Sequence, residues 1–140
     1  MVNRHGHGQY RQVQISTASP GKLILLLYQG AIKSLKKSID LIDKKDYEGK
    51  GNCLINAQDI VMELNMALDM NAGEISSSLR RLYFYIYRQL IHANLHLDKE
   101  AIRDCIRILE QLYDAWQQAV QQTEGNLQAE ASSSRLSVMG

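Results

Sequence analysis

Apolar residues recur at steps of three and four along most of this chain, which is the period of a helix with one face against a core. Short polar or glycine-containing stretches divide the pattern into four runs, which predict four helices. In chain order their apolar positions are Ile24, Tyr28, Ala31, Leu35, Ile39 and Ile42; Tyr47, Leu54, Ala57, Val61, Leu64 and Leu68; Ile75, Leu79, Leu82, Ile86, Leu90, Ala93 and Leu97; and Ile102, Cys105, Ile106, Leu109, Leu112, Tyr113, Trp116 and Val120.

The ends of these runs carry helix start and stop signals. Ser19 followed by Pro20 is typical of a first turn, because the hydroxyl accepts from a free amide and proline has no N–H to satisfy. The first helix is predicted to end near Asp43, and the third to begin after Gly73. Asp98 closes the third run and is placed to cap the fourth helix.

The lengths of the helices and loops predict how the chain folds. Loops of a few residues make consecutive helices antiparallel, and helices of about 24 residues are about 36 Å long. We therefore expect an all-α fold, an antiparallel up-down four-helix bundle over residues 19–121. Residues 1–18 would form a mobile N-terminal arm, and the polar, serine-rich residues 122–140 would form a disordered C-terminal tail.

The second and third predicted helices carry more apolar surface than one core requires. At 100° per residue, the extra apolar residues lie roughly 140° from the core stripe on the second helix and roughly 120° from it on the third. Methionine and tyrosine suit a groove for amphipathic partner helices, although stripes of this kind also occur in cores. These residues are Ile55, Met62 and Met66, and Tyr83, Phe84, Tyr87 and Ile91.

Charge and cysteine content exclude several classes of protein. Sixteen basic and fifteen acidic residues give a net charge of +1, which argues against a nucleic-acid binder. Cys53 and Cys105 have no metal-ligand or disulfide spacing, so we expect buried, reduced thiols. No run approaches the roughly 20 apolar residues of a membrane span, and the start lacks a signal-peptide core, so we expect a cytoplasmic protein with no membrane insertion.

Signatures of catalysis and of cofactors are also missing from the sequence. No glutamate has the Glu-x-x-His spacing of di-iron bundles, and no nucleophile elbow or phosphate loop occurs. His92 and His96 have the i, i+4 spacing of a metal pair, but no third ligand is evident. We expect no enzyme activity, cofactor or metal, with a metal-binding helical bundle or a generic helix-binding adaptor as the alternatives.

Four sequence blocks resemble one known family. With the intervening helices they cover about Tyr10 to Val120 and come in the family's order. Gln29 replaces a usual acidic residue, and the start His5-Gly6-His7-Gly8 departs from the common Asn-Pro-Tyr opening. The blocks are Thr17–Ile32, Ala57–Leu64 with Leu68-Asp69, Leu82–Leu90 with Ala93-Asn94, and Asp114-Ala115-Trp116. They resemble the flagellin-specific export chaperone family, FliS.

The resemblance implies a partner and a use for the second apolar faces. Members bind the C-terminal segment of flagellin, keep it from polymerising in the cytoplasm, and deliver it to the flagellar type III export gate. The extra apolar residues of the second and third helices would then bind this client. Apart from the resemblance, pairing of two copies through these exposed faces stays open. By the same resemblance, Tyr10, Val13 and Ile15 would cap an apolar groove until the client displaces them. An ordinary hydrophobic staple is the other reading of these three residues.

Overall fold

The computed structural model describes the backbone of residues 19–139 and the side chains of residues 19–123. The predicted arm, with Tyr10, Val13 and Ile15, lies outside the described residues. The described chain forms helices α1 (Pro20–Asp43), α2 (Tyr47–Met66), α3 (Glu74–His96) and α4 (Lys99–Met139), with a 3₁₀ turn at Met70–Ala72. The prediction of four helices is confirmed.

Two compact units divide the chain, and the larger, Leu26–Tyr113, contains parts of all four helices. Its core is built mainly from the predicted stripes, joined by Leu27, Ile60 and Ala101, and each helix contributes fully buried side chains. Polar contacts set α1 antiparallel to α4. Gln29 donates to the Tyr113 hydroxyl at 2.8 Å, and Lys99 donates to Asp43 Oδ1 at 2.8 Å. The largest fully buried core side chains include Tyr28, Leu35, Leu54, Val61, Ile86, Leu90, Ile102 and Leu109.

Side-chain caps begin three of the helices, and two of them, Ser19 and Asp98, lie where the sequence signals predicted them. Ser19 Oγ accepts from the Lys22 amide at 3.3 Å at the start of α1. Asp46 Oδ1 accepts from the Gly49 amide at 3.0 Å, and Asp98 Oδ1 accepts from the Ala101 amide at 3.1 Å. Each cap satisfies an amide that has no partner within its own helix, which stabilises the first turn.

A buried lysine joins the start of α2 to the end of α3. Lys50 is 7% exposed, and its Nζ donates to the backbone oxygen of Asn94 at 3.1 Å and to Asn94 Oδ1 at 2.6 Å. The last turn of α3 carries unpaired carbonyls and partial negative charge, so the ammonium group is stabilised there. The contact places the start of α2 beside the end of α3, as expected for consecutive antiparallel helices.

The predicted core residues that are exposed in the structure lie at helix ends. Tyr47, Ile75 and Leu97 were expected in the core, yet they are exposed. Each lies at or beside a helix end, where fewer neighbouring side chains surround it. Helix α4 also continues to Met139 instead of ending near Val120. Residues 122–140 contain several strong helix formers (Gln, Glu, Ala, Leu), and their expected flexibility stays a prediction.

Two glycines offer a test of how tightly α1 approaches α4. In the smaller unit, a Cβ on Gly21 would lie 2.9 Å from Val120 Cγ2, whereas a Cβ on Gly51 would meet only Asn94 Oδ1, at 3.9 Å. Alanine is preferred over glycine in helices by roughly 1 kcal/mol. We expect Gly51→Ala to raise the free energy of unfolding by roughly 0.5–1 kcal/mol in urea denaturation. Gly21→Ala should bring no gain, because valine is stiff at χ1 and cannot move aside easily.

The control for this pair is Gly21→Ala made together with Val120→Ala. Compared with Val120→Ala alone, the double variant should recover the gain expected of alanine in a helix. An equal gain for Gly21→Ala in both backgrounds would show that α1 does not approach Val120 this closely.

Candidate functional site

The predicted second face of α2 is present on the surface of the larger unit. Met66 is 73% exposed, Ile55 is exposed and Met62 is half-buried. These three residues follow one another at steps of seven and four, so they lie along one side of the helix. An apolar strip of this kind is not needed for the core.

The second face of α3 is present as well, with one correction. Phe84 and Tyr87 are half-buried, and Ile91 is 42% exposed. Leu95, one turn further on, is 75% exposed and extends the strip. Sequence reasoning missed Leu95, although its spacing of four from Ile91 is the signal that could have found it.

Tyr83 does not belong to this face, and its predicted placement there is wrong. It is 1% exposed, and its hydroxyl lies 2.5 Å from the hydroxyl of Tyr28, which is also buried. At 100° per residue, Tyr83 points about 100° away from Phe84, to the boundary between the apolar strip and the core stripe of α3. Tyr83 therefore packs in the core, and its polar tip is satisfied there by α1.

Helical geometry places the two apolar strips on either side of the seam between α2 and α3. Lys50 and Gly51 mark the side of α2 that faces α3, and Asn94 marks the side of α3 that faces α2. On both helices the apolar strip lies next to this contact, on the side away from the core. We call this surface the outer groove. Its residues are Ile55, Met62 and Met66 of α2 and Phe84, Tyr87, Ile91 and Leu95 of α3.

Polar groups lie at the base of the outer groove. Gln58 is buried at 8% exposure, and Lys50 and Asn94 form the contact described above. Asn65 Oδ1 is buried and accepts no hydrogen bond from the residues that the structure describes. A buried amide oxygen normally accepts a hydrogen bond from the protein or from ordered water. Apolar walls with a few polar groups are typical of a site that binds and orients a segment of chain.

Comparison with known proteins identifies the family. The family model described as "Flagellar protein FliS" matches residues 3–123. The chain belongs to the FliS family. The flagellar secretion chaperone FliS of Bacillus subtilis (strain 168) is 36% identical to it over 121 residues, which cover 86% of this chain and 90% of that protein.

A further FliS relative and a solved structure agree with this assignment. The flagellar secretion chaperone FliS of Salmonella typhimurium is 34% identical over 124 residues, 84% of this chain and 92% of that protein. A crystal structure of a bacterial flagellar chaperone is 21% identical, with a TM-score of 0.69 over 86% of this chain and 98% of that one. At this identity the structural match confirms the fold. FliS proteins are flagellar secretion chaperones, not enzymes.

The two histidines of α3 take part in the corner between α3 and α4 of this FliS-family chain. The His92 and His96 rings lie 4.6 Å apart, and His92 Nε2 is 3.2 Å from Asp98 Oδ2. Among the residues whose side chains are described, no three His, Cys, Asp or Glu are grouped so as to hold a metal ion. Over the same part of the chain, no helix has the length and apolar content needed to cross a membrane.

The two thiols differ in their surroundings. Cys105 is fully buried, and burial raises the pKa of its thiol to about 12. Cys53 is half-buried, and burial raises its pKa as well. Both cysteines are free, and a high pKa disfavours the reactive thiolate form. The expectation of full burial holds for Cys105 alone, and that of reduced thiols stays a prediction.

The Asp98 cap makes the stability of this corner depend on pH. The pKa of Asp98 lies below its ordinary value of 3.8, chiefly because the Ala101 amide N–H donates to the carboxylate. The ionised carboxylate therefore stabilises the fold above that value, and this contribution is lost as the pH falls through the lower folded-state pKa. We expect Asp98→Ala to lower the Tm by a few degrees at pH 7, with a gap that narrows below about pH 4.

Thermal unfolding followed by circular dichroism from pH 7 to pH 3 measures this dependence. Asp98→Asn is the matched control, because asparagine also caps helices but carries no charge. Its Tm at pH 7 should be close to that of the parent chain, and the difference between its Tm and that of Asp98→Ala should not change with pH. If the gap between the parent chain and Asp98→Ala stays constant over the whole range, the carboxylate charge does not contribute.

Proposed function

We propose that this chain is a cytoplasmic export chaperone for flagellin. It binds the C-terminal segment of flagellin along the outer groove, prevents premature polymerisation, and delivers its client to the flagellar type III export apparatus. The observation that carries the proposal is the meeting of two exposed apolar strips, from α2 and α3, at one groove in a FliS-family chain.

The chemistry of the groove suits a helical client. Met62 and Met66 have flexible, polarisable side chains that adapt to the shape of a partner, and Phe84 and Tyr87 offer large rigid surfaces. An amphipathic helix places its apolar face into such a groove through residues at steps of three and four. A segment that is disordered when free bears an ordering cost on binding, which keeps the complex releasable for export.

The arm ahead of α1 has a regulatory role in this proposal. Tyr10, Val13 and Ile15 would cover apolar surface in the free chaperone, and the client would displace them. Because only the uncovered state binds, such a cap lowers the apparent affinity for the client in proportion to the covered fraction. Removing the arm should therefore tighten binding.

Calorimetric titration with a peptide from the C-terminal end of flagellin tests both parts of the proposal. The chain starting at Ser16 is the comparison for the arm. Saturable one-to-one binding with a negative heat-capacity change supports the chaperone role, and tighter binding by the shortened chain supports the cap. Unchanged or weaker binding by the shortened chain would remove the cap alone. No binding by either chain would contradict the chaperone proposal.

A further inference from the structure

Charge is segregated between the two helices that form the outer groove. From residue 51 to residue 79 the chain has acidic residues but no Lys, Arg or His. From residue 75 to residue 97 it has basic residues but no Asp or Glu. The chain as a whole is almost neutral, so this separation belongs to α2 and α3 and gives the groove two walls of opposite sign.

On α2 the acidic residues lie just beyond the apolar strip. The side facing α3 is set by Lys50 and Gly51, and the apolar strip begins about 90° further around the helix, away from the core. Asp59 and Glu63 follow at about 40° and 80° beyond the strip. Asp59 is exposed, Glu63 is half-buried, and both also interact with other groups of the chain. We call these two residues the acidic rim.

On α3 the apolar strip is also followed by charged residues, but here the charges are positive. Starting from Asn94, which faces α2, the helix surface shows the apolar strip and then Arg88, Arg81 and His92, about 120–160° from Asn94. All three side chains are exposed. Arg88 and Arg81 form the basic rim, whereas His92 Nε2 lies 3.2 Å from Asp98 Oδ2. Arg80 lies closer to the groove, with its guanidinium 5.6 Å from the centre of the Phe84 ring.

We propose that the outer groove binds an amphipathic helix whose two edges carry opposite charges, and that the rims set the direction of that helix. The acidic edge of the bound helix lies along α3, and its basic edge lies along α2. This inference rests on the proposed function, since the helix is a segment of the flagellin client. Apolar contacts hold the helix in the groove, and the charges select one of its two directions.

The direction follows from the handedness of α-helices. Reversing a helix in the groove while keeping its apolar stripe inward exchanges its two edges. In a heptad abcdefg with apolar a and d, positions b and e form one edge and c and g form the other. Consider a bound helix that runs parallel to α2, with its apolar stripe facing the groove. Because α-helices are right-handed, its b and e edge then faces α3 and its c and g edge faces α2. Acidic residues at b and e therefore specify the parallel direction, and acidic residues at c and g specify the reverse.

Four synthetic 21-residue peptides, used where sedimentation shows them to be monomeric, test this. All share the same apolar a and d residues. Peptide one has Glu at b and e and Lys at c and g, peptide two has the reverse, peptide three has Glu at all four positions, and peptide four has Lys at all four. At low salt, peptides one and two should bind about tenfold more tightly than three and four. The difference should shrink in 0.5 M NaCl, because exposed charges are screened.

A nitroxide spin label at the peptide N-terminus reports the direction of the bound helix, because it broadens the NMR signals of nearby groups. Lys50 contacts Asn94, so the start of α2 lies level with the end of α3. Peptide one should therefore broaden the NMR signal of the Ile91 methyl groups, and peptide two that of the Met66 methyl group, near the end of α2. Equal affinities for all four peptides, or broadening of the same methyl signal by peptides one and two, would overturn the inference.

Reversing the acidic rim supplies the matched control. In a chain with Asp59→Lys and Glu63→Lys, peptide three should bind about tenfold more tightly than to the parent chain. Glu100→Lys with Asp104→Lys makes the same change in net charge on the exposed side of α4, and it should have a much smaller effect. Equal effects of the two double variants would show that net charge, and not the rim, controls binding.

The tests of this inference and of the proposed function can fail independently of each other. If the flagellin segment binds but the four peptides bind with equal affinity, only this inference fails. If peptides one and two bind more tightly than three and four but the flagellin segment does not bind, the chaperone proposal fails. The groove then still has a preference for helix direction. A rim variant that changes the mass measured by light scattering, with no effect on peptide binding, would assign the groove to a second copy and overturn the inference.

Discussion

Tyr83→Ala is expected to lower the free energy of unfolding by about 3–5 kcal/mol, as removal of a buried aromatic ring usually does. Tyr83 is 1% exposed, and its hydroxyl bonds to that of Tyr28, so the substitution leaves a cavity and also removes a buried hydrogen-bond partner. Since domains of this size are stable by only about 5–15 kcal/mol, the loss should be plain in urea denaturation followed by circular dichroism.

Tyr87→Ala is the matched control for this prediction. It changes the same residue type on the same helix, one turn later, but its side chain is half-buried at the outer groove. We expect a smaller loss of stability than for Tyr83→Ala, and several-fold weaker binding of the flagellin segment. Equal losses of stability in the two variants would show that Tyr87 also belongs to the core.

Ile91→Asp is expected to weaken binding of the C-terminal flagellin segment about a hundredfold. The side chain is 42% exposed and lies in the apolar strip of α3, so a carboxylate there would have to be desolvated beneath a bound helix. Because the position is open to water in the free protein, the variant should fold. Calorimetric titration measures the affinity, and circular dichroism checks the helical content.

Ile75→Asp is the matched control for Ile91→Asp. Ile75 is also an isoleucine of α3 and is 74% exposed, but at 100° per residue it lies on a different side of the helix from the outer groove. An aspartate in the first turn of a helix is tolerated well. The affinity should change little. If both variants weaken binding equally, the client does not use the outer groove.

The core and the helix starts could be predicted because they depend on local spacing. Leu35, Val61 and Leu90 each recur at helical steps with other apolar residues, and all three are buried. The caps at Ser19 and Asp98 follow from side chains that accept a hydrogen bond within three residues. Exposure at the helix ends was less predictable, since a helical period does not show where the neighbouring helices stop.

Tyr83 was placed on the wrong side of α3 because its direction was averaged with those of three other residues. Grouped with Phe84, Tyr87 and Ile91, it shares a mean direction away from the core stripe. Taken alone, it points to the boundary between the two, and a buried hydroxyl is tolerated there only if a partner is present. That partner is Tyr28, 55 positions earlier in the chain, and no local pattern indicates it.

By itself, the sequence determined the four helices, most of their core residues, and membership of the FliS family, because these depend on periodicity, caps and local motifs. It also held both apolar strips, as residues at helical spacing. Only the tertiary structure decided that the strips meet at one groove, that Tyr83 leaves it for the core, and that acidic and basic side chains flank it on opposite sides. These features depend on which side of α2 faces α3, and packing against the other helices sets that side.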